Sequence, residues 1–321
     1  MTNVNRQAVE ISVIMAVYRE PENWLRKAID SILQQSFRDF ELILILDDPK
    51  NELIREIAGK YAVQDQRVKV LPNAENRGLA RSLNRGLEAA KGRYIARMDG
   101  DDIAFPDRLE KQHAFMESNP DIVLSGAWTS RIDTEGESIG LSKFFDKPAL
   151  LKALIPHRTV LSHPTWFGRK EVFERMGGYR PFPAAQDYDL GYRLLDAGYK
   201  LSNIQEPLLY YRMNPNSITN SRTYVQRICV EYIREMHRER ARNGSDTFSE
   251  DELAGRIKRD THRREKLEKA QAFFLQAMQA KGKRNPIKML WFLLKSWFAS
   301  DLQRAYFRDL LAGKWIIRRM D

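Results

Sequence analysis

The sequence predicts an α/β protein with a doubly wound, mostly parallel sheet and a C-terminal helical extension. Residues 10–18 (EISVIMAVY) and 40–46 (FELILIL) are near-continuous apolar, β-branched runs, the pattern of strands buried on both faces. Segments with apolar residues at helical spacing alternate with such runs across short connections, and that alternation favours parallel pairing. The third observation concerns the tail. Lys+Arg and Asp+Glu are equal in number through Asn220, so the whole net charge of +10 falls in the last third.

The elements follow in order. Pro21 is suited to a first helical turn, and Trp24, Leu25, Ala28, Ile29, Ile32 and Leu33 continue the helical period. After the second strand comes Asp47-Asp48-Pro49, then a helix over 51–62 and a short strand over 68–71. Asn76-Arg77-Gly78 leads into a helix with Leu79, Leu83 and Leu87 on one face, closed by Gly92. The strand over 93–98 then breaks into Asp99-Gly100-Asp101-Asp102. A helix over 106–118, a strand over 122–128, an exposed turn over 133–138 and a loosely helical 145–155 come next. Residues 161–168 (LSHPTWFG) turn into a strand, 169–176 form a short helix capped by Gly177-Gly178, and a helix opens at Gln186-Asp187 and ends near Gly198. Strands over 200–204 and 208–212 complete the body. The tail reads as long polar helices over 221–242 and 250–281, joined by 243–245, and then an apolar stripe over 287–320. The expected domains are 1–219, with halves of about 1–105 and 106–219, and a basic helical extension over 220–321.

Composition narrows the function classes. Hydrophobic content of 43% and aromatic content of 10% suit a globular core. The single cysteine, Cys229, excludes an internal disulfide framework and cysteine-rich zinc sites, and favours a reducing compartment. The first ten residues are polar, so no signal peptide is expected, and no stretch reaches the roughly 18 apolar residues of a spanning helix. A neutral body with a basic tail points to an anionic surface rather than to nucleic acid.

Asp99, Asp101 and Asp102 crowd three carboxylates at a strand end, which is costly unless positive charge neutralises them. A divalent cation held together with a phosphate does so, because hard cations take carboxylate oxygen and keep open positions. The alternative is a plain acidic turn ahead of the helix that Pro106 begins. In a parallel sheet ligands bind outside the carboxyl ends of the strands, where Asp47-Asp48 and the acidic turn both fall.

The runs ISVIMAVYRE, FELILILDD, ENRGLARSLNRGLEAAKGRYIARMDGDD and MGGYRPFPAAQDYDLGYRL, in that order over roughly residues 10–215, resemble family-2 glycosyltransferases. The resemblance implies a GT-A fold and inverting transfer of a sugar from a nucleotide-diphosphate donor, usually UDP, to an acceptor hydroxyl. It makes Asp99-Gly100-Asp101 the DxD motif, with Asp101 a ligand of Mn²⁺ or Mg²⁺, Asp99 reaching the ribose or the metal, and Asp102 orienting both. Ala16, Tyr18 and Glu20 would line the base and ribose pocket. Asp48 would bind the imide nitrogen of the base, although Pro49-Lys50 replace the usual glycine and serine. Arg77 would lie near the nucleotide, with a surface salt bridge as its alternative. Asp187 would be the general base, and Gln186 stands where the family usually has glutamate. Removing that neighbouring charge predicts an ordinary carboxylate pKa for Asp187. Asp189 reads as structural and His163 as packed or functional. Arg212 would clamp phosphates, with Asn214 where the family often has histidine.

The tail's leucines and tryptophans share a helical stripe with lysines and arginines, as in an interfacial helix on an anionic bilayer. The alternative is a stripe packed on the catalytic body or on a second subunit. The resemblance implies a glycan or glycolipid acceptor and a peripheral place at the cytoplasmic face of the membrane. Two rivals stand beside it. A sugar-nucleotide nucleotidyltransferase needs a phosphate-cradling Gly-rich loop after the first strand, where this chain has Val17-Tyr18-Arg19-Glu20. A non-catalytic assembly protein keeping the fold has no need of Asp99, Asp101 and Asp187.

Overall fold

The parallel core is four strands wide. In the computed structural model, which describes residues 9–214 and 223–320, β1 (Ile11–Val17), β2 (Phe40–Leu46), β3 (Val68–Pro72) and β4 (Tyr94–Asp99) lie in the order β3-β2-β1-β4. All of their ladders are parallel. Both faces are covered, as the continuous apolar runs require. On one face Val13, Met15, Leu42, Leu44, Ala96 and Met98 are buried with Leu25, Ile29, Ile54 and Leu109. These last belong to helices α1 (Glu22–Leu33), α2 (Glu52–Gln64) and α4 (Arg108–Ser118). On the other face α3 (Leu79–Ala89) comes down on Ile14 and Ile45. A Cβ at Gly86 would stand 2.5 Å from the Ile14 side chain, so only glycine allows that approach.

The second half of the sheet is mixed. β8 (Phe167–Arg169) joins β4 antiparallel, β6 (Ile122–Ile132) follows, and β9 (Lys200–Arg212) runs parallel to β6. β7 (Ser138–Ser142) pairs with β6 across a turn in which Asp133 Oδ1 accepts from the backbone of Glu135, Gly136 and Glu137. A two-residue strand, β5 (Ile103–Ala104), leaves the acidic turn and pairs with Tyr210 and Leu209 of β9. Helices α5 (Pro148–Leu154), α6 (Lys170–Arg175) and α7 (Gln186–Asp196) complete this half.

Two sequence expectations change here. The strands expected over 200–204 and 208–212 are one continuous strand, whose register against β6 slips around Trp128 and Pro207. The helix expected over 250–281 is two, α9 (Glu250–Arg259) and α10 (Thr261–Gly282), because the Asp260 side chain accepts from Arg263 N at 2.7 Å and starts a new helix.

The described residues form two compact units, one from residues 9–151 and 160–214, the other from 152–159 and 223–320. The expected domain boundary at 219/220 and the expected helix start at 221 lie outside the described residues. The second unit holds α8 (Thr223–Asn243), α9, α10, α11 (Pro286–Ala299) and α12 (Asp301–Met320). The apolar stripe over 287–320 is thus two helices. Trp297 stacks on Phe307, Phe274 meets Tyr306 and Phe307, and Phe273 stacks on Phe292, so part of the stripe packs within this unit. None of the described helices is long and apolar enough to cross a membrane.

Candidate active site

Register brings the candidate residues to one edge of the parallel core. Ala16 is the partner of Ile45 on one side and of Asp99 on the other, so β1, β2 and β4 end together. Beyond those ends lie Tyr18-Arg19-Glu20, Asp47-Asp48 and Asp99 to Asp102.

The two carboxylates after β2 do different work. Asp47 is buried and accepts from Asn73 Nδ2 at 2.6 Å, Arg77 N at 2.8 Å and Gly78 N at 2.9 Å, which fixes the loop into α3. Asp48 reaches outward. Its Oδ2 accepts from Arg19 Nε at 2.8 Å and its Oδ1 from Lys50 N at 3.2 Å, and the Arg19 guanidinium holds the carboxyl below the ordinary carboxylate range. Arg19 also lies over the exposed Tyr18 ring, 4.7 Å from its centroid. Arg77 is held at this edge by its backbone; its side chain is exposed beside a surface recess lined by Pro72, Asn73 and Arg85.

The acidic turn carries a surplus of negative charge. Ligand oxygens of Asp99, Asp101 and Asp102 all lie within 4.8 Å of one another. Asp102 is buried; its Oδ1 accepts from Arg212 N at 2.8 Å, while Oδ2 has no hydrogen-bond partner among the described residues. Burial first, then Asp99, pushes Asp101 up to about 6, and burial with both neighbours raises Asp102 well above the ordinary carboxylate range. Glu20 adds a fourth carboxylate. Its Oε2 accepts from Tyr18 N at 2.8 Å, its side chain packs against Gly100, and burial raises it to about 7. An orphaned carboxylate oxygen among crowded carboxylates fits a hard divalent cation, and brings Asp102 into the candidate ligand set beside Asp99 and Asp101.

Arg212 is engaged at the same turn. It is buried, donates from Nε to Asp101 O at 2.9 Å and from Nη1 to Asp133 O at 2.9 Å and Thr134 O at 3.2 Å, and lies over the Trp24 ring. Its Nε therefore braces the turn that carries Asp101, while its Nη1 ties the same side chain to the turn between β6 and β7.

On the other side of Asp99 stands Arg97, which sequence reasoning passed over. Side chains alternate along β4, so Arg97 and Asp99 share the face opposite Ala96 and Met98, and the guanidinium forms an ion pair with Asp99. It is buried, and its Nε and Nη1 have no hydrogen-bond partner among the described residues. The signal was present in the sequence: a charged residue inside an apolar strand is seldom buried unless paired. Around it lie His163 and Tyr179. His163 Nε2 is 3.0 Å from the Tyr179 hydroxyl, and burial with the Arg97 charge pushes His163 well below its usual value, so the ring is neutral.

Asp187 occupies the first turn of α7, opened by Ala185 in the left-handed region at φ 63°. Backbone N–H groups of Asp187 and Tyr188 and the nearby Arg97 favour its charged form, yet burial outweighs them and the pKa is raised. The ordinary pKa expected from Gln186 is therefore corrected: desolvation, which neighbour identity does not report, dominates. Asp189 is structural as expected. It is fully buried against Arg193 Nε at 2.8 Å, and Arg193 in turn donates to Met176 O and Gly178 O.

The model of glycosyl transferase family 2 matches residues 12–177. An uncharacterized glycosyltransferase of Methanocaldococcus jannaschii is 35% identical over 71% of this chain and 79% of its own length. The O-antigen biosynthesis glycosyltransferase WbnJ of Escherichia coli is 35% identical over 72% of this chain and 90% of its own. The amylovoran biosynthesis glycosyltransferase AmsE of Erwinia amylovora is 30% identical over 66% and 79%. Among solved structures, S. aureus TarS 1-349 in complex with UDP-GlcNAc superposes with a TM-score of 0.61 at 16% identity, over 96% of this chain and 90% of that one, a likeness of fold.

Proposed function

The chain belongs to glycosyl transferase family 2 and has a GT-A fold, and from that premise we propose that it is a metal-dependent, inverting transferase. It would move a sugar from a UDP-sugar to a hydroxyl of a lipid-linked or cell-surface glycan. The observation that carries the reading is the meeting of the acidic turn and Asp187 around one buried guanidinium, Arg97. Relatives named for amylovoran and O-antigen biosynthesis support the polysaccharide setting, and the UDP-GlcNAc complex of the structural neighbour supports the donor class. An acceptor of that kind sits at a membrane, so the reading includes peripheral association with its cytoplasmic face.

In this mechanism Asp48 accepts the imide N–H of uracil on lone pairs left free by Arg19 and Lys50. Ala16, Tyr18 and Glu20 border the base and ribose, Arg77 lies near the nucleotide, and Asp99 takes a ribose hydroxyl or joins the ligand set. Asp101, Asp102 and Asp99 would hold a divalent cation, which when bound offsets charge on the leaving diphosphate as a Lewis acid. Arg97, desolvated and short of partners, pairs with Asp99 and works against the burial that raises Asp187. Asp187 takes the proton of the acceptor hydroxyl as its oxygen bonds to the anomeric carbon and the bond to the diphosphate breaks on the opposite face. Neutral His163, hydrogen-bonded to Tyr179, shapes that side without adding charge.

The test is UDP release from a panel of UDP-sugars with and without Mn²⁺. Asp101→Ala is expected to abolish metal-dependent turnover. Asp187→Asn is expected to lower turnover by about 10²-fold or more while calorimetric UDP binding is unchanged. Full activity in Asp187→Asn would overturn the base assignment.

A further inference from the structure

Helix α11 is apolar on nearly every side, PIKMLWFLLKSWFA, a pattern that normally means full burial. The structure buries only part of it. Ser296 is held inside by a hydrogen bond to Ala270 O at 2.7 Å, and Phe292 and Trp297 pack on aromatic neighbours. The opposite face, Ile287, Leu290, Trp291, Leu294 and Phe298, is open, with Ile287 83% and Phe298 74% exposed. On α10, Leu275 and Met278 are exposed as well.

The charge around this face has one sign. From residue 269 to residue 300 the chain contains no Asp or Glu, while Lys269, Lys281, Lys283, Arg284, Lys288 and Lys295 are all cations. Lys295 lies 4.7 Å from the centre of the exposed Trp291 ring. An amphipathic tryptophan topped by a cation suits the boundary between acyl chains and headgroups. With a rise of 1.5 Å per residue α11 is about 21 Å long, too short to span a bilayer but long enough to lie on one.

We infer that the α10–α11 hairpin docks in the plane of an anionic lipid surface, with Ile287, Trp291, Leu294 and Phe298 inserted and the lysines and Arg284 on the headgroup phosphates. This names the surface behind the peripheral part of the functional reading and does not depend on the transfer chemistry. A second copy of the chain is the poorer occupant, because a two-fold contact would set this acid-free basic face against itself.

The full-length protein is mixed with phosphatidylcholine vesicles, with or without phosphatidylglycerol, and pelleted at low and high salt. Binding is expected to the phosphatidylglycerol vesicles, weakened by salt. Lys283→Glu with Lys288→Glu is expected to reduce partitioning at least about ten-fold. Trp291→Ser with Phe298→Ser is expected to abolish it. Unchanged partitioning in either double variant, or no binding by the parent protein, would overturn the inference. So would a light-scattering dimer that Trp291→Ser with Phe298→Ser converts to monomer while vesicles are ignored. UDP release from donor and Mn²⁺, followed in parallel, separates the two readings. Its absence counts against the transferase, and its persistence in both double variants shows that they fold.

Discussion

At the scale of single residues, the site is governed by carboxylates held in too little water. Asp187 illustrates the sign. Its pKa is raised by burial, and the base proposed here works only when deprotonated, so turnover should be full above that pKa and fall as the pH drops through it. The acid limb of kcat/KM should therefore lie above the ordinary carboxylate range, and what little activity Asp187→Asn retains should lack that limb. Asp102 gives a second prediction. Raised carboxylate pKa values mean that the metal-free fold favours protonated forms. The stability these groups confer is complete below about pH 4, the ordinary range, and is lost as the pH rises through about 6 for Asp101 and through the raised pKa of Asp102. Asp102→Asn keeps an acceptor for Arg212 N and removes the buried charge. It should raise the melting temperature at pH 7 without metal while weakening Mn²⁺-dependent turnover. A lower melting temperature would mean that the charge, despite its orphaned oxygen, stabilises the turn. These carboxylates were legible in the sequence because motif order marks them. Their pKa values were not, since desolvation depends on segments distant in sequence, such as the end of β9 whose Arg212 N meets Asp102.

At the scale of elements, the parallel half was readable because runs such as FELILIL admit no exposed face. The mixed half was less so. β5 has two residues, too few to carry any period, and it exists because the acidic turn delivers Ile103 and Ala104 to the edge of β9. Arg97 was missed for a related reason. Alternation says that it shares a face with Asp99, but which helices cover that face is a tertiary fact. Helix breaks follow local chemistry that a periodic reading smooths over, and Asp260 is the clearest case. It ends α9 and caps α10, with its backbone carbonyl accepting from the Tyr224 hydroxyl at 3.2 Å. Asp260→Ala should cost about 1 kcal/mol in urea unfolding, with the slope unchanged. No loss would mean that packing alone sets the break.

At the scale of the whole molecule, the chain joins two units of different character, and ligands discriminate between them. The proposed donor and metal ligands, Asp48, Asp99, Asp101 and Asp102, belong to one unit, so UDP with Mn²⁺ should stabilise that unit by mass action. At about 100 times Kd the gain is roughly 2.7 kcal/mol, or a shift of about 5–10 °C for a body of this size. Hydrogen exchange should then show added protection at β1, β2, β4 and the Asp99–Asp102 turn, and little in α8 to α12. In Asp101→Ala, UDP with Mn²⁺ should lose most of this shift, whereas UDP alone should act equally on both proteins. Equal Mn²⁺-dependent shifts in both would remove Asp101 from the ligand set and leave Asp99 and Asp102 to hold the ion. Protection spread evenly over α8 to α12 would mean that the units unfold as one, and that the α10–α11 hairpin senses the donor site.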